Sequence, residues 1–439
     1  MNMRSPEMSQ MQRSADELEL ADRARKVLPA GTFGNTALDI VIARGKGGHV
    51  WDLSGNEYID YLLGSGPMLV GHCHPKVEAA VLEQVPLGTT FFVNNPQGIK
   101  LAEEIVAAVP CAEQVRFVST GSEADLYAMR VARAYKRRDK ILKFEGGYHG
   151  MSDYGLMSLA PKRLSNFPAA VPDSAGIPKS IREEMIVAPF NDLAAVESLV
   201  SQHGKEIAAI IVEPFQRLIP PKPGFLEGLR KITEENGIVL IFDEVVTGFR
   251  FAYGGAQAYY GVTPDLATFG KVIGGGFPLA AIAGKTEIMR HFDKTAVGEE
   301  DFTVQIGTLS GNPVASAAGI ATMQILKEPG TYDKLFASGR ALMDGISERI
   351  KAAKLPAQVI GEPPLFDVIF AEGDIRDYRG TLKSDAKMMA SVNRSLLASG
   401  ILKGESKYYL SLAHTDADIA KTLDAWDEAI RALKSSKAA

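Results

Sequence analysis

"IVLIFDEVVTGFR", residues 238–250, begins with five consecutive apolar residues and then sets Asp243 beside Glu244. A short apolar run bounded by turn signals reads as a strand buried on both faces. Further runs of this kind are "VRFVS" (115–119), "KILKF" (140–144), "IAAIIVE" (207–213) and "LATFG" (266–270). Amphipathic stretches separate them. After Ser122, the residues Ala124, Ala128, Val131, Ala132 and Tyr135 form one stripe, with Arg133, Lys136 and Arg137 near its exposed end. Another stretch, from about Gly224 to Asn236, carries Phe225, Leu229 and Ile232 on one side and stops at Gly237. This alternation, from about residue 100 to 325, predicts an α/β fold with a mostly parallel sheet covered by helices on both faces.

The flanks have a different texture. "DIVIARGKGGHVWDLSGNEYIDYL" (39–62) reads as short strands broken by "GKGG" and "SGN" turns. Residues 326–439 return to long helices with a few strands, including "FDVIFAE" (366–372) and "YYLSLAH" (408–414). We therefore expect a large domain over 71–325 and a smaller α+β domain built from 1–70 and 326–439.

Composition narrows the function. The 439 residues are 46% hydrophobic and 23% charged, ordinary for a soluble globular protein. The net charge of -5 offers no general attraction to nucleic acid or an anionic membrane. Cys73 and Cys111 make neither a disulfide framework nor a pair with metal-ligand spacing. The N-terminal stretch lacks the apolar core of a signal peptide, and no segment approaches the roughly 20 apolar residues of a membrane span. The expectation is a cytoplasmic protein with small-molecule chemistry, and no metal, nucleic-acid or membrane partner.

Polar residues collect where the predicted strands end. "LATFGKVIGGGFPLAA" (266–281) places Lys271 between an apolar run and three glycines. A lysine partly desolvated there has a lowered pKa, so its free amine can form a Schiff base with an aldehyde. The glycines would let the backbone pass close to a bound ring. A solvated lysine followed by a turn is the plainer alternative. In a doubly wound sheet, Asp243 faces the ligand crevice, where a buried carboxylate needs a donor or a positive partner. "VSTGSEADLYAMR" (118–130) turns from strand to helix through Thr120, Gly121 and Ser122, and an anion such as phosphate fits that helix N-terminus. An ordinary cap, with Ser122 and Asp125 as a capping-box-like pair, is the competing reading. "FEGGYHG" (144–150) supplies Tyr148 and His149 at another strand end, with Tyr148 able to lie flat on a heteroaromatic ring. Glu213, ending "IAAIIVEP", completes the run. One ligand, pyridoxal 5'-phosphate, has the aldehyde, the protonated ring nitrogen, the flat face and the phosphate that these residues call for.

On "STGSEA" (119–124), "GGYHG", "VEPF", "FDEVVTGFR", "TPDLATFGKVIGGGFP" and "GTLSGNP" (307–313), the chain resembles the class III aminotransferases of the pyridoxal-phosphate fold type I superfamily. The pattern is nearest to glutamate-1-semialdehyde aminomutases and related amine or β-amino acid transaminases. The resemblance implies Lys271 as the Schiff-base and proton-transfer residue, Asp243 at the ring nitrogen, and Val245 against the ring face opposite Tyr148. It also implies Gly121 and Ser122 at the phosphate, and a homodimer in which Thr308 reaches the phosphate of the neighbouring subunit. Aminomutases carry an arginine a few residues after "PAG", where this chain has Ala37, and a glutamate before "SLAH", where it has Ser406 with Glu405 one place off. The reaction so implied moves an amino group from an amine, β-amino acid or amino acid to a keto acid. Intramolecular transfer of the aminomutase type is the alternative.

Two further expectations concern the substrate. Arg217, Arg250 and Lys407 are candidate carboxylate partners, each with a structural ion pair as the plainer role. The long segment 151–178, rich in Pro and Ser, reads as a lid over the site, with a fixed surface excursion as the alternative.

Overall fold

The computed structural model describes residues 12–36 and 38–438, so the position assigned to Ala37 lies outside the described residues. The chain divides into two compact units.

The larger unit, 75–332 with 373–382, is built on seven strands. These are β1 (Gln114–Val118), β2 (Lys140–Phe144), β3 (Met185–Ala188), β4 (Ile207–Val212), β5 (Val239–Asp243), β6 (Leu266–Phe269) and β7 (Ala280–Gly284). Their order across the sheet is β1-β7-β6-β5-β4-β2-β3. Every neighbouring pair is parallel except the two made by β7, which runs antiparallel to both β1 and β6. Strands β4 and β5 are buried at every position, as a parallel sheet covered on both faces requires. Helix α1 (Gly121–Lys136) buries Ala124, Ala128, Val131 and Ala132, while Tyr135 is half-buried. Helix α2 (Phe225–Asn236) stops at Gly237, whose φ of 59° is left-handed. Helix α3 (Pro313–Leu326) is apolar almost all round and correspondingly buried.

Segment 373–382, which the sequence reading placed in the smaller domain, belongs to the larger unit. Long-range polar contacts hold it. Arg379 makes a two-pronged ion pair with buried Glu145, Nε to Oε2 at 2.7 Å and Nη2 to Oε1 at 3.0 Å. It also donates to the Ser165 carbonyl and stacks on Phe167. The same contacts correct the picture of 151–178 as a lid. That segment is pinned through Ser165, bridges Met157 to Pro172 and Ala169 to Ile186, and buries Met157 and Ala170.

The smaller unit comprises 1–74, 333–372 and 383–439. It holds a sheet of Ile42–Lys46, His49–Asp52, Glu57–Asp60 and Ile401–Leu402, and another of Gln358–Glu362, Leu365–Ile369 and Tyr408–Tyr409. Among the described residues, no helix is long and apolar enough to cross a membrane.

Candidate active site

Strands that run parallel deliver their C-terminal ends to one edge of the sheet. At that edge the chain leaves β1 into Ser119–Ser122, β2 into Glu145–Gly150, β4 into Glu213–Arg217, β5 at Asp243 and β6 into Gly270 and Lys271.

Asp243 pairs across the ladder with Thr268, the third residue of β6. Its Oδ1 accepts from the Val245 N–H at 3.1 Å, and its Oδ2 lies 2.8 Å from Nδ1 of His149. Since the carboxylate accepts, we assign the proton to Nδ1 of His149. Nε2 of the same ring is then buried with no partner. The Thr268 hydroxyl donates to Asp125 at 2.6 Å, so Asp125, Asp243 and His149 gather their polar atoms within 4.8 Å. Burial, followed by the negative charge of Asp243, raises the Asp125 pKa well above the usual carboxylate value.

Glu244 takes the other direction. Its carboxylate accepts from the backbone of Ala256 and from the backbone and side chain of Gln257, and burial raises its pKa. Alternation along a strand explains the split, since neighbouring side chains point to opposite faces.

Val245 draws the other turns together. A Cβ on Gly121 would come within 2.8 Å of the Val245 side chain, and one on Gly270 within 3.2 Å. The phosphate-turn candidate, the Asp243 strand and the Lys271 strand therefore meet at one side chain. Ser122 lies against Gly150, whose φ is +76° and whose added Cβ would sit 2.5 Å from the Ser122 Cα. The Ser122 hydroxyl accepts from the Met151 N–H.

The cap of α1 corrects the sequence reading. Thr120 is the N-cap and forms a full capping box with Glu123, which leaves Ser122 outside the cap and turns Asp125 inward to Thr268. Gly121 and Ser122, the first helical residues, have N–H groups with no backbone acceptor. N–H groups so placed at a helix N-terminus suit an anion.

Lys271 is half-buried and adopts φ 48°, a left-handed conformation costing about 1–2 kcal/mol for a non-glycine residue. Two glycines near it allow close packing of the fold. Gly275 approaches the Ala318 carbonyl of α3, where an added Cβ would lie 2.6 Å from the oxygen. Gly319 of α3 meets the Ile273 carbonyl as closely.

The Tyr148 loop is fixed from several sides. Its N–H donates to Glu213 at 2.9 Å, and Gln216 donates to the Glu145 carbonyl at 2.9 Å. From below, the fully buried Lys143 donates to the carbonyls of Gly147 and Gly155, and burial lowers its pKa to about 8. Arg217 lies over the Tyr148 ring.

Three further candidates have the following surroundings. Thr308 is exposed in the turn before α3. Arg250 is fully buried and so unavailable to a ligand at the sheet edge. Lys407 belongs to the smaller unit. Conversely, Thr268 and Lys143 escaped the sequence reading, Asp125 was read only as a capping residue, and His149 was noticed without a role. The His that directly follows Tyr148 between glycines was the available signal.

The residues fit pyridoxal 5'-phosphate on grounds independent of any likeness. Buried Asp243 calls for a positive neighbour, the α1 N-terminus for an anion, and Lys271 stands three residues beyond the ladder partner of Asp243. The fold is that of the fold type I pyridoxal-phosphate-dependent transferases. Residues 32–399 match the class III aminotransferase family, and the chain belongs to it. Its structure is similar to an omega-transaminase from Sphaerobacter thermophilus, 35% identical with a TM-score of 0.90 over 96% of this chain and 98% of that one. It is similar to a transaminase with PLP bound, at 28% identity and a TM-score of 0.89 over 98% and 100%. A beta-phenylalanine aminotransferase from Variovorax paradoxus shares 29% identity, with a TM-score of 0.85 over 96% and 94%.

Proposed function

We propose that this pyridoxal-phosphate-dependent transaminase takes the amino group of an amine, β-amino acid or amino acid and delivers it to a keto acid by a ping-pong exchange. The observation that carries the reading is the juxtaposition of Asp243 and Lys271 on neighbouring strand ends, with His149 fixing Asp243.

The bound cofactor supplies an electrophilic aldehyde and a ring that takes up the electron pair released at the substrate carbon. The protein's own groups do the rest. Lys271 would hold the aldehyde carbon until the donor amine displaces it, and its freed Nζ then carries the proton from the substrate carbon to the cofactor carbon. Asp243 keeps the proton on the ring nitrogen, and His149 keeps the Asp243 carboxylate aimed. Tyr148 and Val245 would hold the ring between them, and Gly121 and Ser122 the phosphate, with Glu213 fixing the Tyr148 backbone.

We also propose a homodimer, with Thr308 directed to the partner's phosphate. Supporting it, exposed apolar side chains crowd the same unit at Leu82, Leu87, Phe92, Val93, Val304, Ile306 and Leu309. Association in a dimer would cover exposed apolar surface of this kind. Unpaired Cys73 and Cys111 agree with a cytoplasmic location.

The test is the visible absorption spectrum of the purified holoenzyme with a panel of amines and amino acids, first without acceptor. A donor that bleaches the long-wavelength band, with recovery on adding a keto acid, establishes the two-stage exchange. Steady turnover without any acceptor would instead mean amino transfer within one molecule and overturn this reading.

A further inference from the structure

The turn that follows β4 is built around an arginine in an unfavourable place. Gln216 and Ile219 exchange both backbone hydrogen bonds, at 3.0 and 2.8 Å, leaving Arg217 and Leu218 as the residues of a two-residue loop. Arg217 has φ 61°. The first position of such a loop, when left-handed, is ordinarily glycine. Leu218 and Ile219 are buried, so the turn is anchored and its exposed side chain is Arg217. Backbone strain held at one residue of a site-lining turn calls for a role in that residue's side chain.

The guanidinium carbon lies 5.4 Å from the centre of the Tyr148 ring. Among the described residues, the Arg217 side chain makes no ion pair and no hydrogen bond. A guanidinium this close to an aromatic ring still has N–H donors to offer a planar carboxylate. The two loops concerned are locked together by Glu213 on the Tyr148 N–H and by Gln216 on the Glu145 carbonyl. The free cation is thus held in register with the aromatic residue of the cofactor site.

We infer that Arg217 is the carboxylate receptor of the substrate pocket, so that the donor is an amine bearing a carboxylate rather than a simple amine. This rests on the transaminase reading above and sharpens it. Arg217 binds and orients; it takes no part in proton transfer.

The test uses matched donors that differ only by the carboxyl group: β-alanine with ethylamine, 3-aminobutanoate with isopropylamine, and 3-amino-3-phenylpropanoate with 1-phenylethylamine. The half-reaction of the holoenzyme with donor alone is followed by its absorbance change, which keeps the acceptor out of the comparison. The wild type should prefer the acid of a pair. Arg217→Gly should erase about 10- to 100-fold of that preference, mainly through KM, the range expected for a hydrogen-bonded charge pair. Arg217→Lys should recover part of it, since an ammonium keeps the charge without the planar fork. Calorimetric binding of unreactive 3-phenylpropanoate should weaken in parallel. Glycine accepts φ 61° freely, so Arg217→Gly should melt no lower than the wild type, whereas a structural role would lower Tm. A wild type that prefers the amine, or an Arg217→Gly variant that keeps both the preference and the 3-phenylpropanoate affinity, overturns the inference and leaves transamination standing. If no donor of any pair bleaches the wild-type band, transamination of such donors fails, and the inference falls with it.

Discussion

Nδ1 of His149 lies 2.8 Å from Oδ2 of Asp243, and both side chains are almost sealed from solvent. A hydrogen bond to a buried charge is worth about 1.5–3 kcal/mol, so His149 governs where that charge sits. Asp243→Asn should lower single-turnover proton transfer by about 10²- to 10³-fold, because a neutral amide cannot sustain a protonated ring. His149→Leu should cost about 10- to 100-fold by leaving the carboxylate less well aimed. Both are read by stopped-flow absorbance, and an Asp243→Asn rate equal to wild type would remove Asp243 from the ring nitrogen.

Lys271→Ala should abolish steady turnover, with proton transfer alone accounting for about 10²- to 10⁴-fold. Borohydride treatment offers a readout apart from activity. Peptide mass analysis should find the reduced cofactor attached to the Lys271 peptide in wild type and nowhere in the variant. Label on another lysine would show that the reactive amine has been misplaced.

Lys143 predicts a dependence of stability on pH. Its folded pKa, lowered to about 8 by burial, lies below the ordinary lysine value of 10.5. Between those values the unfolded chain binds the proton more often than the folded one, so stability rises with pH across that window and is lost as pH falls through 8. Relative to Lys143→Met, the wild type should gain roughly 3 kcal/mol between pH 8 and 10.5, an upper figure at 1.36 kcal/mol per unit. Urea titrations at intervals across the window measure it, and a flat difference would contradict it.

Gly150→Ala adds a Cβ where 2.5 Å separates it from the Ser122 backbone, at a φ of +76°. Left-handed strain and overpacking together should destabilise the protein by about 2–5 kcal/mol. Retained cofactor should also be weaker, since the same glycine lets the Ser122 turn close. Thermal melting and equilibrium dialysis of the cofactor give the two numbers, and an unchanged Tm would mean that this turn can move.

What could be read from sequence was whatever announces itself locally. Strands such as Ile207–Val212 are uninterrupted β-branched and apolar runs, and they stand where the runs stand. Strand Ala280–Gly284 escaped because "AAIAG" has a single β-branched residue, and its antiparallel course depends on partners far away in the chain. Lys143 interrupts the apolar run "KILKF", yet it is buried because a loop folds over it and offers two carbonyls. Asp125 resembled a capping residue, since nothing within one helical turn reveals that Thr268 waits across the sheet. At the candidate site, residue types were legible; the order in which they support one another was not.

The ten residues Gly373–Leu382 serve the larger unit while being encoded amid the smaller one. Neither unit is one continuous stretch, so no single cut in the gene yields either of them whole. A frameshift or proteolytic nick upstream of Arg379 would spare Lys271, Asp243 and Tyr148, yet it would separate Glu145, at the start of the Tyr148 loop, from its cation. Damage late in the reading frame would thus be felt three residues from Tyr148, so C-terminal tags are safer additions than C-terminal truncations.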